Sequence, residues 1–96
     1  MKSIMEHGKA DYCYLCGRMG YLEEHHIFGG PNRKHSEALG LKVHLCPECH
    51  RDTRKGVHGS EGQGKKLQLQ QEAQKNFEAR YSHEEFIRVF GKNYLG

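Results

Sequence analysis

The stretch LGLKVHLCPECH, residues 39–50, runs an alternating apolar segment into two cysteines, a proline and a histidine. Leu39 to Cys46 alternates well enough for a β-strand, and Pro47 suits the first turn of a helix, where its missing N–H needs no partner. Cys46 and Cys49 therefore fall at a strand-to-helix corner. The same spacing occurs in CYLC, Cys13 and Cys16, with 29 residues between the two pairs. Two residues between cysteines let a tight turn bring both thiolates to one ion, and zinc takes four such ligands as a tetrahedron. Gly17 follows the first pair, as a sharp turn favours.

Other uses of the cysteines carry less weight. Disulfides need an oxidising compartment, and no charged, apolar and cleavable leader precedes residue 13, so a cytoplasmic chain is expected. Cys46 to His50 spells the C-x-x-C-H of haem c attachment, but that chemistry needs export and leaves Cys13 and Cys16 idle. A thioredoxin-like redox pair needs a βαβ context that the pattern lacks.

A metal staple also suits the composition. The chain has 96 residues, only 35% of them hydrophobic, with no Trp and a mean hydropathy of −0.89. One small domain of this make-up buries little apolar surface against the entropy of ordering its backbone. No stretch approaches the ~20 apolar residues of a membrane span, so no membrane partner is expected.

The expected organisation is one domain over 1–96, of α+β class: a zinc-braced core over 13–59, a glycine-rich connector over 60–66 and C-terminal helices over 67–96. Residues 1–12 read as a short polar leader, a fraying end or one strand. GYLEEHHIF, Gly20 to Phe28, reads as a strand entering a turn at Gly29, Gly30 and Pro31, which gives strand, loop, strand, helix through the core. The helix from Pro47 would carry His50 and Arg54 one turn apart on one face, with His58 just past its end. SEGQGKK, residues 60–66, reads as a mobile linker. Beyond it, Leu69, Ala73, Phe77 and Tyr81 recur at i+4 as one apolar stripe for packing on the core. Ser82 with Glu85 makes a capping box for a second helix ended by Gly91, so the tail is a helical hairpin.

Six of the eight histidines lie in the core region: His25, His26, His35, His44, His50 and His58, with His7 in the leader and His83 in the tail. His35, His44, His7 and His83 read as surface or satisfied residues, and Glu23 and Glu24 as a solvated strand edge. The adjacent pair is different. HHI followed by LCPECH, with 24 positions from His26 to His50, resembles the HNH endonucleases, whose ββα-metal motif is often braced by a zinc on two CxxC pairs. The resemblance spans about residues 13–58. HHIFGGPNRKHSEALGL, the GVH ending at His58 and the tail EEFIRVFGKNYL look most like small HNH proteins of phages and prophages.

The resemblance implies a metal-dependent DNA endonuclease that nicks or cleaves duplex or branched DNA, leaving 5′-phosphate and 3′-hydroxyl ends. It makes His26 the general base, His25 and His50 ligands of an active-site divalent cation (Mg2+, Mn2+, Ni2+ or Zn2+), and His58 or Glu24 an additional ligand or phosphate contact. Cys13, Cys16, Cys46 and Cys49 hold the structural Zn2+. Because successive strand residues face opposite ways, His25 and His26 would lie on either side of the scissile phosphate rather than on one ion. Two positions depart from the pattern. The family's middle Asn falls on Leu41, so Asn32, His35 or Ser36 is expected to pin the loop in its place, and the usual His four after His50 is Arg54.

The net charge of +3 resides between Arg18 and Lys66, since residues 1–17 and 67–96 each balance to zero. Arg33, Lys34, Arg51, Arg54, Lys55, Lys65 and Lys66 are the expected phosphate contacts of a DNA partner. The competing reading is a catalytically silent zinc-binding DNA-binding module serving recombination or packaging proteins of a phage; a protein-binding adaptor is a third.

Overall fold

Strand β1, Glu23–His26, pairs antiparallel with β2, Lys42–Leu45, in a computed structural model that describes residues 2–6 and 11–96. Glu23 stands opposite Leu45 and His26 opposite Lys42. Both strands are shorter than alternation predicts. β1 stops because the Phe28 backbone turns from β2 to a side chain: its N–H donates to Ser36 Oγ at 3.0 Å, and Ser36 Oγ donates back to its carbonyl at 2.9 Å.

Ser36 belongs to a helix where the sequence reading has only a loop. A 3-10 turn over Gly30–Asn32 leads into α1, Arg33–Leu39. Arg, Lys, Glu, Ala and Leu are good helix formers, and Gly40 ends the helix in the left-handed region at φ 70°. A Cβ on Gly40 would also stand 2.4 Å from the Lys2 carbonyl oxygen, because the leader runs alongside, with Ile4 N–H donating to Gly40 O at 2.9 Å. Ile4 and Met5 are buried, so this part of the leader is docked rather than fraying. His7 lies outside the described residues.

After β2 comes α2, Pro47–Arg51, with Cys46 as its N-cap. It ends there because the Asp52 carboxylate accepts the backbone N–H groups of Arg54 and Lys55, at 3.2 and 2.7 Å, in a turn that competes with helix. Arg54 therefore leaves the helix face it was expected to share with His50. His58 returns to that region because Val57 N–H donates to the Cys49 carbonyl at 2.8 Å.

The connector is packed, not a mobile linker. Gly62 is buried, and a Cβ on it would fall 1.8 Å from the Gly56 carbonyl oxygen. Helix α3 begins at Gln63, inside the expected linker, and runs to Glu78; α4 spans His83–Phe90. Ser82 Oγ accepts the Glu85 N–H at 3.0 Å and Gly91 closes α4 at φ 73°, as the capping pattern predicts. Leu69, Ala73 and Phe77 are buried as a stripe, whereas Tyr81 lies past the end of α3 and is 47% exposed. Phe28, at the exit of β1, meets Phe90 and Phe86 at ring-centroid distances of 4.5 and 5.7 Å, and Phe86 meets Phe77 at 5.4 Å. These rings join the tail to the strand that carries the histidine pair. Among the described residues no helix is long and apolar enough to cross a membrane.

Phe86 has no exposed surface, so Phe86→Ala loses its burial and leaves a cavity, at a cost of roughly 3–5 kcal/mol. Denaturant melts are expected to show that loss. A shift below ~1 kcal/mol would mean that the tail does not pack on the core.

Candidate metal centre and histidine cleft

The two cysteine pairs converge. All four Sγ atoms lie within 4.8 Å of one another, and Cys16 Sγ stands 3.7 Å from Cys46 Sγ. A disulfide would require ~2.05 Å. A tetrahedron of sulfurs ~2.3 Å from a central zinc has edges of about 3.8 Å, so the donor set fits one such ion. The backbone builds the two knuckles: Gly17 N–H donates to the Cys13 carbonyl at 2.8 Å, and His50 N–H to the Cys46 carbonyl at 2.9 Å. Burial raises the Cys13 thiol pKa, but hydrogen bonds with the backbones of Cys46, Cys16 and Leu15 outweigh it and bring it to about 6. Burial and the neighbouring sulfurs push the Cys49 thiol up. Gathered as thiolates, the four would repel one another without a cation, which a structural metal such as zinc could supply.

One residue beyond Cys49, His50 enters a second cluster. His25, on β1, meets His50 and His58 with ring centroids 5.1 and 5.2 Å away, and His50 and His58 are 5.1 Å apart. A nitrogen from each lies within 4.8 Å of the others. His25 is only 5% exposed; burial, followed by the positive charge that His50 and His58 would carry, pushes its pKa down to about 3. His58 is lowered by burial, then by His50 and Lys66. His25 and His58 thus favour the neutral state in which a ring nitrogen binds a metal.

Glu23 orients this triad. Its Oε1 lies 2.9 Å from His50 Nδ1 and accepts Arg51 Nε at 3.0 Å. With Nδ1 engaged by a carboxylate, Nε2 of His50 is the nitrogen left for a metal. The hydrogen bond with His50 is the largest influence holding the Glu23 carboxyl below its usual range, and Arg51 adds to it. The expected solvated edge is therefore wrong for Glu23, whose side chain is 15% exposed. Its position opposite a helix-borne histidine was invisible without the register.

His26 points the other way, as strand alternation requires. Its Nε2 lies 2.7 Å from Glu37 Oε1 on α1 and 3.8 Å from Glu24 Oε1. Glu24 groups with His26 and Glu37, not with the three histidines, which removes it as a fourth ligand there. Yet both histidines of the pair open on one cleft of about 270 Å³, whose other walls are Glu24, Gly29, Arg33, His50 and His58.

The basic residues separate. Arg33 lines the cleft, and Lys66 is close enough for its charge to lower His25 and His58. Arg51 is held by Glu23, Arg54 pairs with Glu61 at 2.9 Å, and Lys65 donates to the Lys55 carbonyl at 2.7 Å beside the cysteine knuckle. Lys34 is exposed on α1. Of the three candidates to replace the middle Asn, Ser36 is the one whose side chain ties down the chain after β1. His35 instead approaches Phe90 at 6.1 Å, and His44 is held by the buried Glu6 at 2.9 Å.

Two outcomes are expected. Protein purified without chelator should carry one tightly held zinc on the cysteines, and Cys46→Ser should unfold it, because structural zinc contributes ~10 kcal/mol or more in comparable small sites. A folded, metal-free chain by native mass spectrometry would contradict this. Second, with no metal on the histidines, His25 stays neutral in the fold while the unfolded imidazole protonates below ~6.5. Stability should fall with pH from ~6.5 towards 3, by up to ~1.4 kcal/mol per unit from this group, and be insensitive to it above ~7. Melts of wild type against His25→Asn check this; parallel pH profiles would remove His25 as the cause.

Comparison with family models, with curated proteins and with solved structures finds no match to this chain.

Proposed function

We propose that the chain is an HNH-type, ββα-metal endonuclease that hydrolyses phosphodiester bonds of DNA. The observation that carries this reading is the His25–His50–His58 triad, which shares a cleft with His26 and Arg33. His25 comes from β1 and His50 from α2, one residue beyond Cys49, with His58 in the turn that follows. A divalent cation held by the triad would offset charge on a scissile phosphate and polarise a water there.

The protein groups do the rest. Arg33 and Lys66 attract and seat the phosphate. His26 removes a proton from the attacking water as its oxygen bonds to phosphorus; the bond from phosphorus to the 3′ oxygen breaks, and that oxygen takes a proton from solvent to leave as a hydroxyl. The downstream fragment keeps the phosphate at its 5′ end. Basic residues around a cleft bind DNA without cutting it as well, and the buried Leu41 where the family has Asn favours that second reading, a silent zinc-containing DNA-binding module.

Nicking of supercoiled plasmid with magnesium, manganese, nickel or zinc separates the two. Cleavage is expected, and His26→Ala should slow it roughly 10²- to 10⁴-fold with DNA affinity intact. His50→Ala should raise the metal concentration needed or abolish cutting while the cysteine zinc remains. Arg33→Ala should weaken binding and lower its salt dependence by about one phosphate contact. DNA binding with no cleavage under any metal would favour the silent module.

A further inference from the structure

On the face of β1 opposite the histidine triad, a second constellation is built between the sheet and α1. His26 Nε2 lies 2.7 Å from Glu37 Oε1, while Glu37 Oε2 accepts Lys42 Nζ at 2.9 Å. Lys42 also reaches Glu24 Oε2 at 3.3 Å. Glu24, His26 and Glu37 are close enough to share a cation, but the Lys42 ammonium already pairs with both carboxylates and would repel a second cation. Metal binding is thus a poor use of this cluster.

Its geometry does something else. The Lys42 hydrogen bond, then that of His26, holds the Glu37 carboxyl well below its usual range, so Glu37 is an ionised acceptor with no proton to give. An acceptor-only partner requires the hydrogen of a neutral His26 to sit on Nε2, which leaves the lone pair on Nδ1. Nδ1 makes no hydrogen bond among the described residues, and no buried side-chain nitrogen there lacks a partner, so Nδ1 is open to solvent. His26 itself lines the cleft.

We propose that Glu37, anchored by Lys42, is the positioning residue that fixes His26 as its Nε2–H tautomer and frees the Nδ1 lone pair to accept a proton in the cleft. The catalytic meaning of this rests on the nuclease reading; the tautomer does not. Lys42 also makes the isosteric variant diagnostic. In Glu37→Gln the amide has one oxygen and one NH2, and the ammonium takes the oxygen. The NH2 then faces His26 Nε2 and demands a lone pair there, which moves the hydrogen to Nδ1.

Two-bond proton–nitrogen correlation spectra of the 15N-labelled full chain read the tautomer directly, with His26→Asn giving the assignment. The wild type should show Nε2–H, and Glu37→Gln should show Nδ1–H in a chain that remains folded by its amide spectrum. In plasmid cleavage, Glu37→Gln should lower kcat roughly 10²- to 10⁴-fold, the worth of a positioned base, with KM for DNA unchanged. A wild-type Nδ1–H tautomer would overturn the proposal, and so would a Glu37→Gln variant with the wild-type tautomer or wild-type kcat. If the wild type cleaves no DNA with any metal, the nuclease reading fails, and the wild-type spectrum alone decides the role of Glu37.

Discussion

The convergence of four sulfurs at the corner between β2 and α2 is the constraint on which the remaining structure depends. A pair of four-residue strands is marginal by itself, and α2 has only five residues. Neither would persist from local propensity. A metal on the cysteines would tie the Cys13–Cys16 knuckle to that corner, and the Tyr14 N–H donates to the His44 carbonyl of β2 at 2.8 Å to continue the join. Because His50 follows Cys49 directly, an ion on the cysteines would also set the position of a candidate ligand in the cleft. Outer contacts of this kind orient ligands as much as the ligands themselves do.

β1 then works as a two-sided element. Glu23 and His25 face the triad, while Glu24 and His26 face α1 and Lys42, and each histidine meets a different chemistry. His25 is buried against the imidazoles of His50 and His58, which disfavours its cation. His26 sits against a carboxylate that is itself locked by an ammonium. Adjacent residues with the same side chain thus acquire separate roles from period-two alternation alone.

The tail contributes by packing. Phe28 lies two residues after His26 and is buried beneath Phe86 and Phe90. The ring contacts and the paired Ser36 hydrogen bonds hold the exit of β1 from both sides, which limits how far the histidine pair can shift. With 35% hydrophobic residues, the chain gathers all four of its phenylalanines at this one segment, and their burial stabilises it.

The cysteine spacing, the proline after Cys46, the capping box at Ser82 and the apolar stripe through Leu69, Ala73 and Phe77 were legible in the sequence, because each depends on residues within one or two turns of chain. So was the opposition of His25 and His26, since alternation is a local property of a strand. What only the tertiary structure decided depends on register and packing. That His58 joins His25 and His50 follows from the hydrogen bond between Val57 and Cys49. That Glu23 serves His50, Glu37 serves His26 and Arg54 turns away to Glu61 follows from which elements meet. Helix α1 had a helical composition but only seven residues, too few for periodicity to separate from a loop. The connector over 60–66 reads as a linker for a similar reason: Gly62 looks unconstrained until Gly56 is seen against it, and a glycine that permits motion cannot be told in sequence from one that permits contact.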